Sequence, residues 1–241
     1  EEIIDNEKKV IAAADIVIAS AKRIIQNKSI LCNNINLITH GVNYEHFYKS
    51  ISNNSSKIPL DISKINKPII GFFGEINDWI DLDLIFRGAQ SKPNWSWVFI
   101  GRISSEVGSV DRFSILENVY FLGQKGYAEL PDYCRLFDIG IIPMKINKLT
   151  LSVNPLKLKE YLASGLPVVS SDLPEVRDFS EFIYIYTDLQ TFIDSIKTAL
   201  KISKTKSAEL ISHSVKHEDW KSKVKKINSL IMDVINEKKY K

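Results

Sequence analysis

Two cysteines and four histidines are all that 241 residues offer to thiol or metal chemistry. Cys32 and Cys134 have no metal-ligand spacing and read as reduced thiols of a cytoplasmic protein. The four histidines are read as forming no metal site. Asp81-x-Asp83 matches a metal motif only weakly and reads better as a helix cap near residues 82–89. No apolar run approaches the roughly 18 residues that a membrane span needs. No secretory leader is visible, and a chain that starts at Glu1 without Met reads as processed or trimmed. A net charge of +3 is too small to imply nucleic acid. Lys238, Lys239 and Lys241 read as a solvated tail, with a weak attraction to anionic lipid as the alternative.

What is present is ordinary globular composition, 44% apolar and 25% charged. That suffices for one large domain, or one domain and a piece of another. Short apolar runs alternate with helical patterns. Residues 15–19 and 35–39 predict strands, with a helix starting at 22–26 between them. Residues 46–67 are polar and rich in Ser and Asn, and predict a linker. Strands are then predicted at 68–73, 95–100, 119–122, 139–143, 168–171 and 182–186. Helices are predicted at 82–89, 127–137, 155–164, 189–202 and 217–235. Alternation of this kind implies βαβ units and an α/β fold, a doubly wound parallel sheet with helices on both faces. Three predicted strands end at glycine: Gly74, Gly101 and Gly123. In such a sheet the carboxyl ends of the strands form the ligand crevice.

The most informative stretch is 154–174, NPLKLKEYLASGLPVVSSDLP. Asn154 is placed as the helix cap and Pro155 at the first helical position. Leu158, Tyr161 and Leu162 form an apolar stripe, with Lys157 and Glu160 three apart on another face. Gly165 and Pro167 end the helix, and a β-branched run follows. A helix start after a strand suits an anion. A carboxylate on its second turn can reach the sugar hydroxyls of a nucleotide whose phosphates sit at that start.

The order GFFGEIND, VFIGR, VYFLG, Y-x-E-L-P-x-Y, D-I-G-I-I-P and N-P-L-K-L-K-E-Y-L-A-S-G-L-P-V-V resembles the C-terminal half of GT-B glycosyltransferases. It is most similar to the retaining family 4 type of polysaccharide, capsule and cell-wall assembly, over roughly residues 68–235. Residues 8–48 resemble the end of the N-terminal domain of such enzymes, with His40 where Asn is usual. The resemblance implies four regions: 1–45, a remnant of the acceptor domain; 46–67, a linker; 68–215, a Rossmann-like donor domain; and 216–241, a helix crossing back. Trp220, Val224, Ile227, Leu230, Ile231 and Val234 have helical spacing and should be buried on that helix. It further implies sugar transfer from a nucleotide-diphospho-sugar to a carbohydrate or lipid-linked acceptor. No cofactor or essential metal is implied, and this donor-binding half should not catalyse transfer alone. A nucleotide-sugar epimerase and a catalytically silent binding module are the alternatives.

Residue by residue, Glu160 matches the glutamate that bonds the nucleotide ribose in relatives; otherwise it is an exposed helix residue paired with Lys157 or Ser164. The family's first glutamate falls at Ser152, which cannot act as a carboxylate. Backbone N–H groups of Leu156 and Lys157 match the β-phosphate contacts. The basic pair usual after the first strand is absent at Gly74-Glu75-Ile76-Asn77-Asp78. Lys157 and Arg102 are therefore the candidate cations, with an Arg102–Glu106 salt bridge as the alternative for Arg102. Tyr127, after Gly123, either covers the base or faces the core. Trp79 either faces a ligand or packs its loop. The expected donor site is thus Gly74, Arg102, Gly123, Tyr127, Ser152, Asn154, Leu156, Lys157 and Glu160, with no protein nucleophile.

Overall fold

The computed structural model describes residues 2–32, 34–52, 58–107, 110–205 and 207–239. The chain begins with α1 (Glu2–Ala13), β1 (Val17–Ala19), α2 (Lys22–Lys28) and β2 (Ile35–Leu37). β1 and β2 pair in parallel as a separate two-stranded sheet. After α3 (Tyr44–Tyr48) come β3 (Ile69–Phe73), α4 (Leu82–Ser91), β4 (Ser96–Ile100), β5 (Val119–Phe121), α5 (Leu130–Cys134) and β6 (Ile139–Ile142). The chain continues through α6 (Leu156–Ala163), β7 (Val168–Ser171), β8 (Ile183–Tyr186), α7 (Leu189–Thr205), α8 (Ala208–His213) and α9 (Trp220–Lys239).

Strands covered on both faces need apolar or small residues throughout, and β3, β4, β6 and β7 are buried at every position. They belong to a six-stranded, wholly parallel sheet in the order β5-β4-β3-β6-β7-β8. The order reverses between β3 and β6, which puts the ligand crevice of a doubly wound sheet at their carboxyl ends.

Alternate residues of the strands sort the aromatics onto two faces. On one face Trp97 meets Phe192 of α7 (ring centroids 5.8 Å apart), and Phe99 stacks on Phe121 at 5.2 Å. On the other, Phe73 meets Tyr161 of α6 at 4.8 Å and Phe47 of α3 at 6.0 Å. The Tyr161 hydroxyl accepts from Phe73 N–H at 3.0 Å, which fixes α6 against the central strand.

Some expectations change. The stretch 46–67 is not wholly irregular: Asn43 caps α3 through His46 N–H, and Phe47 is fully buried. Residues 53–57 of that stretch lie outside the described residues. The helix expected at 127–137 is a 3-10 turn (Tyr127–Glu129) followed by the short α5, because Pro131 sits at its start. The burial expected along α9 does not occur. Trp220, Val224 and Ile231 are exposed, and Ile227, Leu230 and Val234 are half-buried. Helical spacing tells which residues share a face, not whether anything lies on it. Nor is the basic end simply a solvated tail: the helix runs to Lys239, and Lys238 pairs with Asp15 at 2.6 Å. Lys241 lies outside the described residues. Among the described residues no helix is long and apolar enough to cross a membrane.

The segment after β2 and the segment before α9 run side by side. Val42 N–H donates to Glu218 O at 3.0 Å, and Trp220 N–H donates to Val42 O at 3.2 Å. Beneath them lies Lys159, 1% exposed. Its ammonium donates to Thr39 Oγ1 at 3.0 Å, His40 O at 2.6 Å and Glu218 Oε2 at 2.5 Å.

Candidate functional site

The floor of the crevice is main chain. Gly74, Gly101 and Gly123 follow β3, β4 and β5 with φ of 125°, 147° and 70°, a range that L side chains rarely adopt. A Cβ at Gly101 would collide with the carbonyl oxygen of Gly74, and one at Gly74 would collide with Cε and Nζ of Lys157. The sequence therefore needs glycine at both places, and the lysine side chain lies directly over the first strand end.

α6 delivers that lysine. The cap differs by one residue from expectation. Pro155, with φ −75° and ψ 105°, is the last residue outside the helix, and its carbonyl accepts from Leu158 N–H at 3.1 Å. Asn154 is not the cap. Its Nδ2 donates instead to Glu175 Oε2 at 3.2 Å, and its Oδ1 is buried without a partner. A proline cap fixes the backbone but offers no side-chain acceptor, so the N–H groups of Leu156 and Lys157 at the first turn remain available.

Glu160, one turn on, is 6% exposed. It is not an exposed helix residue, and no hydrogen bond or ion pair to its carboxylate is found among the described residues. Burial raises its pKa to about 7, against the pull of Lys157. Burial likewise lowers the pKa of Lys157, opposed by Glu160 and Glu75. The Lys157 ammonium also stands 5.6 Å from the Phe72 ring centroid. Each group influences the other's charge from a largely dehydrated position, and neither makes an ion pair or side-chain hydrogen bond among the described residues. A buried carboxylate in that state is costly, and a ligand with hydroxyl donors would satisfy it.

Two cavities open at the crevice, of which the second is lined by Lys157. One, of about 390 Å³, is lined by Gly74, Gly101, Arg102, Gln124, Lys125 and Leu130. The other, of about 290 Å³, is lined by Trp79, Leu149, Val153, Asn154, Leu156 and Lys157 itself, among others. Trp79 thus faces a cavity.

The remaining expected residues divide. Arg102 reaches the crevice, but its guanidinium pairs with Glu75 Oε1 at 2.5 Å rather than with Glu106. Tyr127 is half exposed. It neither enters the core nor stands alone, stacking on His46 at 4.5 Å with its edge to Phe47 at 5.7 Å. Burial and the nearby Glu160 raise the pKa of its hydroxyl. Ser152 lies in a 3-10 turn (Thr150–Ser152) with its hydroxyl on Lys148 O at 3.4 Å. Asp81 caps α4 by accepting from Leu84 N–H at 2.9 Å, and Asp83 pairs with Arg112. His213 and His217 do stand at the H-x-x-x-H spacing of a two-ligand metal motif. α8 ends at His213, so they do not share a helical face.

Sequence reading missed two buried charged groups, Lys159 and Glu175, and the half-buried Glu218. Glu175 is 2% exposed, accepts from Lys22 N–H at 2.7 Å and holds Asn154. The partners of Lys159 are 59 to 120 residues away in sequence. The only local signal was a lysine immediately before Glu160.

Comparison with known proteins follows the same lines. The family model for glycosyl transferases group 1 matches residues 67–201. The chain is 30% identical over 204 residues to TuaH of Bacillus subtilis (strain 168), a protein named for teichuronic acid biosynthesis as a glycosyltransferase. That match covers 81% of this chain and 50% of the relative, so the chain spans about half the length of the curated protein it resembles. Among solved structures it is similar to a glycosyltransferase from Rickettsia africae ESF-5, with TM-score 0.71 and 16% identity over 95% of this chain and 66% of that one. It is also similar to Alr3699/HepE of Anabaena in complex with UDP-glucose, with TM-score 0.68 and 17% identity over 91% of this chain and 64% of that one. At these identities the structures speak for the fold, which is the Rossmann-like domain of GT-B glycosyltransferases. With the family model covering more than half of its length, the chain belongs to the group 1 glycosyl transferases.

Proposed function

We propose that this chain is the donor-binding half of a glycosyltransferase that moves a sugar from a nucleoside-diphospho-sugar to an acceptor hydroxyl, with retention, in polysaccharide, capsule or cell-wall synthesis. The observation that carries the reading is Glu160, a buried carboxylate without a partner among the described residues, on the same helix turn as Lys157 near the start of α6. In this reading the ribose hydroxyls donate to Glu160, and the diphosphate meets the Leu156 and Lys157 N–H groups and the Lys157 ammonium. Charge on the departing diphosphate is thereby stabilised as the glycosidic bond breaks. Gly74 and Gly123 admit the ligand close to the backbone, and Tyr127 flanks the nucleoside. Arg102, committed to Glu75, has a lesser part.

The relative named for teichuronic acid biosynthesis supports a bacterial-type polysaccharide, and the Anabaena complex supports a nucleotide-sugar donor. The acceptor, a carbohydrate or a lipid-linked one, would meet the other half of the enzyme, on the cytoplasmic side with peripheral membrane contact. No metal or other cofactor enters the reading. Calorimetric titration of the chain with UDP, ADP, GDP and dTDP tests it: one should bind, and in competition with its sugar conjugates. Failure of all four to bind would overturn the assignment. An epimerase would instead change the donor sugar without any acceptor, which chromatography of the products distinguishes.

A further inference from the structure

We infer that His46 is a positioning residue of the nucleoside pocket, which holds the Tyr127 ring as the platform on which the base stacks. The inference rests on the donor-binding reading above and deepens it. His46 lies on α3, ahead of residues 67–201 that the family model matches. α3 is a firm support. Asn43 Oδ1 accepts from His46 N–H at 3.3 Å, and Phe47 is fully buried against Phe73 of β3.

The imidazole and the phenol ring are stacked, with centroids 4.5 Å apart and 14° between their planes. His46 Nε2 lies 2.9 Å from Tyr127 O. A carbonyl oxygen only accepts, so Nε2 carries the proton and donates it. One side chain thus holds both the ring and the main chain of Tyr127. The far face of the phenol ring is clear. Phe47 stands nearly at right angles to both rings, 5.0 Å from His46 and 5.7 Å from Tyr127. With the stacked pair itself 4.5 Å apart, these distances put Phe47 beside the stack, on the His46 side of Tyr127. Among the described residues no other ring meets Tyr127, which is 51% exposed.

That free face is placed for a nucleobase. Tyr127 is close enough to Glu160 to feel its charge. Lys125 and Leu130, on either side of Tyr127 in the chain, line the cavity of about 390 Å³ at the strand ends. With the ribose hydroxyls on Glu160, the base is the flat group next to the ribose. An aromatic face accepts any base by stacking. A ring already held in place spares the ligand the cost of ordering it. Without His46 a half-exposed tyrosine in a short turn would keep its rotamer freedom, and the ligand would have to remove it.

The test is calorimetric titration of the parent chain, His46→Ala, Tyr127→Ala and the double variant. Each is titrated with the nucleoside diphosphate that the parent binds best, and with inorganic pyrophosphate. Tyr127→Ala should lower the nucleoside diphosphate affinity by about tenfold, the scale of one stacked base. His46→Ala should lower it by about threefold to tenfold, the scale of ordering one side chain. Pyrophosphate, which has no base, should bind all four forms within about twofold, and His46→Ala should add nothing once Tyr127 is gone. His46→Phe returns a flat ring to the stack and should bind the nucleoside diphosphate more tightly than His46→Ala. An equal loss for pyrophosphate, a His46→Ala effect that persists without Tyr127, or unchanged affinity in both single variants would overturn the inference and leave His46 as a support of the fold. Failure of every nucleoside diphosphate to bind the parent would instead overturn the donor-site reading, so the two failures are distinct.

Discussion

Lys159 Nζ lies 2.5 Å from Glu218 Oε2, and the same carboxylate oxygen accepts from Lys223 at 2.7 Å. Lys159 immediately precedes Glu160, so the helix that carries the candidate ribose carboxylate is tied to both segments where the chain passes between its two sheets. Burial opposes the charge on Glu218, but hydrogen bonds and charge from Lys159 and Lys223 outweigh it and hold the carboxyl at about 2. Burial lowers the pKa of Lys159 even with Glu218 beside it. Desolvation therefore offsets much of the attraction.

This arrangement predicts an asymmetry between the partners. Glu218→Gln strands a buried ammonium and should cost about 3–5 kcal/mol. Lys159→Met leaves Glu218 paired with Lys223 and should cost less than about 1.5 kcal/mol. Urea unfolding at pH 7 compares them, and equal losses would contradict the clasp. The pH dependence has a definite sign. The folded value lies below the ordinary 4.5, so the stabilisation is complete above pH 4.5 and is lost as the pH falls toward 2. Glu218→Gln should flatten that acid limb.

Glu160 shows the opposite linkage. Its folded pKa of about 7 lies above the ordinary 4.5, so ionising it destabilises the fold, with the cost growing between pH 4.5 and 7. The stability of Glu160→Gln relative to the parent should rise by about 2–4 kcal/mol from pH 4 to pH 8. The same change should weaken nucleoside diphosphate binding by about 1–3 kcal/mol. Parent affinity should tighten as the pH rises through about 7. A site residue that stabilised the fold instead would show the reverse slope in chemical unfolding.

The two candidate cations should behave differently. Lys157 is enclosed beside Gly74, whereas Arg102 is exposed and shared with Glu75. Lys157→Ala should lower the affinity for a nucleoside diphosphate by 1.5–3 kcal/mol, the scale of a charge-assisted hydrogen bond, and that for the nucleoside hardly at all. Arg102→Ala should shift the ratio of the two affinities less than about twofold, because an exposed ion pair is worth little. A larger effect from Arg102 than from Lys157 would reverse the assignment.

Much of the sheet was legible because buried parallel strands announce themselves as short apolar runs bounded by glycine, proline or aspartate. β3, β4, β6 and β7 lie within a residue or two of where those runs predict them. Lys157 and Glu160 were legible because their spacing is local to one helix. The Asn154 cap was misplaced by one residue because Glu175, twenty-one positions on, draws its amide away. Lys159 and Glu218 were invisible as partners, since tertiary proximity alone brings them together. The exposure of α9 was equally hidden, because periodicity carries no information about what a face meets.

At the strand ends, the carbonyl oxygen of Gly74 occupies the space that a Cβ of residue 101 would need. At that point the depth of the crevice is set by peptide against peptide, whereas over Gly74 it is set by the Lys157 side chain. Away from Lys157, side chains can reshape this crevice only at its flanks. Trp79 and Leu149 line one flank, and Gln124 and Leu130 the other, while the bottom is made by its own backbone.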